Sequence, residues 1–93
     1  MILPKHVDVF GQRYKVKMEV MENLAGLCDR EKHIIYVNPI MPEVEQFQTL
    51  LHEVGHAVFS RVGLVQSISP ELEEIIVESI ATAFAENFDL LAD

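Results

Sequence analysis

Two histidines four residues apart, with a glutamate directly after the first, stand out chemically: His52-Glu53-Val54-Gly55-His56. On a helix, residues four apart lie about 40° from one another and one turn along the axis, so the two imidazoles share a face. They can then converge on one divalent cation, with zinc–nitrogen distances of about 2.0–2.1 Å. Glu53 projects about 60° round the helix from His56, close enough to reach a metal-bound water without being a ligand. Zinc lowers the pKa of such a water toward neutrality, and a carboxylate base can take its proton as the water attacks a carbonyl. That is the chemistry of peptide-bond hydrolysis. The competing reading of the same five residues is two solvent-facing histidines on a surface helix, and a strongly helical context argues against it.

Two histidines leave a tetrahedral ion short, because a catalytic zinc takes three protein ligands and keeps one position open. The pattern H-E-x-x-H-x-x-G-x-x-H is absent, since Ala57-Val58-Phe59-Ser60-Arg61-Val62-Gly63 follow His56. A second helix must supply the ligand, and Glu71, Glu73, Glu74 and Glu78 are the candidates. A helix that ends about six residues past His56 and turns back puts Glu74 and Glu78 at the right height. Helical phase favours Glu73 instead, because it lies nearer the centre of the apolar stripe of Ile76, Val77, Ile80 and Phe84. Spacing leaves the choice open. If Glu74 binds the metal, Glu78 can hold a ligating imidazole by its outer nitrogen. Any one of these acids also reads as a solvated charge near a helix start.

The elements that must position these residues fall into two parts. His6–Phe10 and Arg13–Val20 alternate polar and apolar residues around Gly11-Gln12, which predicts a hairpin, with Tyr14, Val16, Met18 and Val20 on one face. Leu24–Cys28, a polar turn at Asp29-Arg30-Glu31-Lys32, and the β-branched run His33-Ile34-Ile35-Tyr36-Val37 follow, and Asn38-Pro39 ends the run. The active helix is expected over about 42–62, with Pro42 as its first residue, Glu43 and Glu45 at its positive end, and Gly63 as its stop. Phe47, Leu50, Leu51, Val54, Ala57, Val58 and Val62 recur in it at helical spacing. Ser69-Pro70 opens the helix of the third ligand, expected over about 70–91, with Leu72, Ile76, Ile80, Ala83, Phe84 and Leu91 on its apolar side. The fold class is therefore α+β: one domain over 1–93, a small antiparallel sheet of three or four strands (about 6–37), then two helices.

The chain is short, 93 residues, which bounds it to one small core. Its 7 basic residues are outweighed by 15 acidic ones. The imbalance is confined to one half: residues 38–93 carry only Arg61 against ten acids, while residues 1–37 carry six basic residues against five acids. An acidic half repels phosphate backbones, so nucleic acid is not expected as a partner, and a cation or a basic segment of a protein is. A charged surface that merely keeps a small domain soluble explains the bulk of the excess equally well. No apolar run is long enough to cross a bilayer, and the first ten residues do not form a secretory leader. The single cysteine, Cys28, excludes an internal disulfide and fits a reducing, cytoplasmic compartment. His6 and Cys28 have no partner at ligand spacing and read as structural.

Taken together, Thr49-Leu50-Leu51-His52-Glu53-Val54-Gly55-His56-Ala57, the strand before it (Ile34–Val37) and Glu74-Ile75-Ile76-Val77-Glu78-Ser79-Ile80-Ala81 after it resemble a known group. This is the group of short H-E-x-x-H metallopeptidases of phages and bacteria related to the ImmA/IrrE type, and the likeness runs from Gly11 onward. It implies a minimal zincin-like, gluzincin-like core holding one zinc ion, with Glu53 as catalytic base. The third ligand in such proteins is a glutamate on the helix after the motif; matching E-x-x-V-E-x-I-A puts it at Glu74, with Glu78 in reserve. The longer E-A-N-x-F-A pattern departs here, because Ile80 stands four before Phe84. The likeness also implies a protein or peptide substrate, a transcriptional regulator among the first to consider, laid along the strand before the active helix, His33–Val37. Tyr36 or His33 would then be placed to stabilise the oxyanion, although a strand of this composition is ordinarily core.

The function expected is thus a zinc-dependent metalloendopeptidase. The alternatives are a metal-binding regulatory or interaction module with little or no catalysis, and a purely structural metal that staples two helices of a small core.

Overall fold

The computed structural model describes residues 3–87; Leu91, assigned above to the apolar side of the last helix, lies outside them. Strands β1 (His6–Val9), β2 (Gln12–Met18), β3 (Gly26–Asp29) and β4 (Ile34–Val37) precede helices α1 (Glu43–Arg61) and α2 (Pro70–Glu86). The α+β class and the order of sheet before helices are as the sequence predicts.

The sheet is mixed, however, with strand order β1-β2-β4-β3. β1 and β2 form a hairpin, β3 and β4 another, and β2 and β4 join them in parallel, Lys15 opposite Ile34 and Met18 opposite Val37. This corrects two expectations. The sheet is not wholly antiparallel, and β4 lies inside it with both edges paired, so the segment His33–Val37 has no edge to offer a peptide. The free edge on that side belongs to β3. A hydrophobic run marks a strand but carries no information on its neighbours, and Ile35 and Val37 are fully buried because the strand is central.

The first hairpin turns on Phe10-Gly11, one residue earlier than Gly11-Gln12. Val9 pairs with Gln12, and φ is +47° at Phe10 and +82° at Gly11. Positive φ at both central residues is the turn that matches strand twist, and Gly11 takes the second of them without strain. Tyr14 and Val16 point into the core as expected, whereas Met18 and Val20 lie past the cover of the helices and are exposed.

The core lies between one face of the sheet (Val9, Tyr14, Val16, Ile35, Val37) and one face of α1 (Leu50, Ala57). The buried Asn38 secures the loop that leads into β3: its Nδ2 donates to the carbonyls of Met21 (2.9 Å) and Leu24 (3.0 Å), and its Oδ1 accepts from the Ile40 amide. Pro42 is the N-cap of α1 rather than its first residue. Gly63, with φ +76°, ends the turn after α1, and Ser69 caps α2 by accepting from the Leu72 amide at 3.1 Å.

α2 packs chiefly on α1. The close approach is at Gly55, where an added Cβ would meet Val77 Cγ1 at 2.9 Å. A helix with one neighbour buries one narrow strip, and here it is Glu73, Val77 and Ala81. The stripe expected to face inward does not: Leu72, Ile80 and Phe84 are each about half exposed. No helix among the described residues is long and apolar enough to cross a membrane.

Candidate metal centre

α1 presents His52 and His56 on the side that α2 covers, one turn apart, as their spacing requires. Their Nε2 atoms stand 3.2 Å from one another. Glu74, from the first turns of α2, brings Oε1 to 2.8 Å from His52 Nε2 and Oε2 to 3.1 Å from His56 Nε2. Around a tetrahedral zinc with bonds of about 2.0–2.1 Å, neighbouring ligand atoms are about 3.3–3.4 Å apart. The two ring nitrogens and the two Glu74 oxygens that face them are therefore spaced somewhat closer than, but much as, the ligand atoms of one ion, and these residues can be a metal-holding group.

The other ring nitrogens strengthen the match. His52 Nδ1 lies 2.9 Å from Glu78 Oε2, and His56 Nδ1 contacts Glu73 Oε2. A carboxylate only accepts, so Glu78 and Glu73 would hold a proton on each Nδ1, the tautomer that leaves both Nε2 atoms free to bind a cation. A divalent cation among the two Nε2 atoms and the Glu74 carboxylate would then be attracted by all three. The donor set, two imidazoles and a carboxylate, suits zinc.

The glutamates thus take distinct places. Glu74 meets both rings, and Glu78 holds His52 while accepting from Gln48 Nε2 at 3.1 Å. Glu73 is buried and holds His56, as its helical phase suggested, with Arg30 Nη2 donating to the same oxygen at 2.9 Å. Glu71, the remaining candidate, is exposed on the first turn of α2. Arg30 was legible only as part of a polar turn, because its partner is 43 positions away in the chain.

Glu53 sits on the sheet side of α1 and is only 8% exposed. It forms no hydrogen bond among the described residues. Burial raises its proton affinity above the ordinary carboxylate range, opposed by the nearby His52 and His56. Its carboxylate lines two cavities, of about 420 and 400 Å³, that meet at Glu53 and Gly26. Gly26 permits this arrangement: a Cβ there would lie 2.5 Å from Thr49 Cγ2 and 3.2 Å from Glu53 Cγ. A side chain on β3 at that position would hold α1, and Glu53 with it, away from the edge.

β3 itself lies along the cavities. The Asn38 amide donates to the Ala25 carbonyl at 2.8 Å, so Ala25, Leu27 and Asp29 direct their backbone groups at β4. By alternation Gly26 and Cys28 direct theirs outward, beside Glu53. Cys28 lines one cavity, and burial, then the charge of Glu53, push its thiol up to about 11.

The two residues considered for the oxyanion are not brought to this site. His33 stacks edge-on against Tyr14 at 5.2 Å, and Tyr36 lies on the face of the sheet opposite the buried Ile35 and Val37. His6 is on the outer side of β1, remote from both cavities lined by Glu53. Compared with protein-family models, curated proteins and solved structures, the chain matches none, so its function is argued from this geometry and from the sequence.

Proposed function

We propose that the protein is a zinc-dependent metalloendopeptidase with a minimal zincin-like core of the kind its sequence resembles. One observation carries the reading: Glu53, a largely buried residue that opens to two cavities and makes no hydrogen bond among the described residues, stands beside a His/His/Glu group able to hold an ion and beside the edge strand β3. His52, His56 and Glu74 would hold one zinc ion, with Glu78 and Glu73 fixing the rings. Zinc, when bound, supplies a Lewis acid that makes water a nucleophile at neutral pH and polarises a carbonyl. Glu53 takes the proton of the attacking water and returns it to the leaving amine, a task suited to a carboxylate whose proton affinity burial has raised. The outward amide and carbonyl groups of Gly26 and Cys28 would pair with an extended substrate and draw it over Glu53. The substrate would be a protein, and on family likeness a transcriptional regulator of a phage or its host is the first to try. A reducing cytoplasm fits the lone thiol.

The test is hydrolysis of an unfolded protein such as reduced casein by the zinc-loaded chain, with metal content measured in parallel. Glu53→Gln is expected to retain one zinc per chain and to lose hydrolysis by a factor of about 10²–10⁴. Full activity in that variant would remove Glu53 as the base.

The reading of the metal as a staple is favoured by a separate observation, that the ligand set joins α1 to a helix that packs chiefly on α1 and not on the sheet. In that case a chelator lowers the melting temperature and the zinc-loaded chain hydrolyses nothing.

A further inference from the structure

The two cavities that meet at Glu53 differ in chemistry. The one beside the C-terminal half of β3 is lined by Leu27, Val65 and Pro70 and by Glu53, Glu73 and Glu74, and there Arg30 offsets the acids, donating to Glu73 at 2.9 Å. The other, beside Ala25 and Gly26, is lined by three carboxylates, Glu45, Glu53 and Glu78, and by no lysine or arginine. Met41 and Thr49 form its wall, and the Gln48 amide stands beside Glu78. Glu45 is exposed on the first turn of α1 and makes no hydrogen bond or ion pair among the described residues. A row of acids at a helix start is ordinarily only a solvated surface. Here it rims a cavity of about 400 Å³ into which Glu53, 8% exposed and making no hydrogen bond among the described residues, also opens.

We propose that this cavity receives a lysine or arginine side chain from an extended peptide paired to the edge of β3, so that, on the peptidase reading above, the protein prefers a basic residue next to the bond it cleaves. The shape fits the chemistry. A long basic side chain lays its methylenes along an apolar wall, here Met41, and carries its charge to the polar end, here Glu45 and Glu78. Glu78 has acceptor capacity to spare, since a carboxylate accepts about four hydrogen bonds and those recorded for it come from His52, Gln48 and Thr82. An acidic side chain reaching the outer end of the cavity would face Glu45 and Glu78 with no lysine or arginine in the lining to offset them. Residues 38–93, with ten acids and one arginine, add a field that draws basic segments toward this side.

The experiment measures binding apart from turnover. Zinc-loaded Glu53→Gln protein is titrated with three capped hexapeptides, alanine throughout except for one central Lys, Leu or Glu, and affinities are read by NMR shifts. The Lys peptide is expected to bind at least tenfold tighter than the Leu peptide, and the Glu peptide most weakly. Adding Glu45→Lys, a change at an exposed position whose folding is checked by circular dichroism, is expected to invert that order, and Glu45→Gln to flatten it. Equal affinities, no binding of any peptide at millimolar concentration, or an unchanged preference in Glu45→Lys each overturns the assignment. Zinc-loaded wild-type protein incubated with the same peptides separates the two claims. If it cuts none while the preference and its inversion hold, the peptidase reading falls and the basic subsite stands. If it cuts all three equally, the reverse follows.

Discussion

At the scale of single residues, Glu53 and Cys28 face each other across one cavity, and burial acts on both. For Glu53 the folded chain binds the proton more tightly than the unfolded chain does. In metal-free protein its contribution to stability is therefore fully present below the ordinary carboxylate range and is lost as pH rises through the raised value. Glu53→Gln is neutral at every pH. In chelator it is expected to melt above the parent at neutral pH and together with it below about pH 4, where both side chains are uncharged. Scanning calorimetry at the two pH values checks this, and a lower melting temperature for the variant at neutral pH would contradict it. Cys28, with its thiol pushed up to about 11, is almost wholly protonated at neutral pH. Alkylation by iodoacetamide at pH 8 should run about a hundredfold slower than at an exposed thiol and rise about tenfold per pH unit up to pH 10. A rate already level at pH 9 would show that the thiol is not buried against Glu53.

At the scale of elements, two glycines set how closely α1 is approached, and they separate two properties of the site. Gly26 admits α1 to the edge strand. In Gly26→Ala the new methyl meets Thr49 and, at 2.9 Å, the Tyr36 carbonyl, which is backbone and cannot move aside alone. The expected cost is about 1–3 kcal/mol of stability, with turnover reduced more than zinc affinity, because the methyl meets Glu53 directly while His52 and His56 lie farther round α1, toward α2. Gly55 admits α2. In Gly55→Ala the methyl meets Val77 at 2.9 and 3.1 Å, and the helix that carries Glu74 must shift outward. Zinc affinity, measured by competition with a chromophoric chelator, should then fall by about tenfold or more, since catalytic constellations tolerate only about 0.5 Å of displacement. Equal zinc affinity in the two variants would mean that α2 does not depend on this contact. The same elements show what is legible in sequence. Helical periodicity located α1, and with it the shared face of His52 and His56, because both depend on neighbours within one turn. The likeness to H-E-x-x-H proteins singled out Glu74, and local phase pointed to the inward position of Glu73. Strand order was not legible, because the parallel pairing of β2 with β4 joins residues 19 apart by a rule no local pattern encodes. Nor was the facing of α2, whose exposed Ile80 and Phe84 carry the hydrophobicity that normally marks a buried side.

At the scale of the molecule, the sheet and α1 form one body with a shared core, while α2 adds to it through α1. The helix is held on its metal-facing side by carboxylates on imidazoles, Glu73 and Glu74 on His56, and Glu74 and Glu78 on His52. A divalent cation held by His52, His56 and Glu74 would add to these contacts across the α1–α2 junction, so binding energy would become folding energy for α2 in particular. Stability should then be unevenly linked to zinc. Amide hydrogen exchange with and without chelator gives the readout. Removing zinc should speed exchange across 70–86 by about tenfold or more while leaving the amides of β2, β4 and the middle of α1 close to their zinc-loaded rates. Uniform acceleration throughout would mean that the metal supports the whole core, and no change in α2 would mean that its packing on α1 is sufficient without an ion. The first pattern follows from where the three candidate ligands are: two on α1, which the sheet also holds, and one on α2, which packs chiefly on α1.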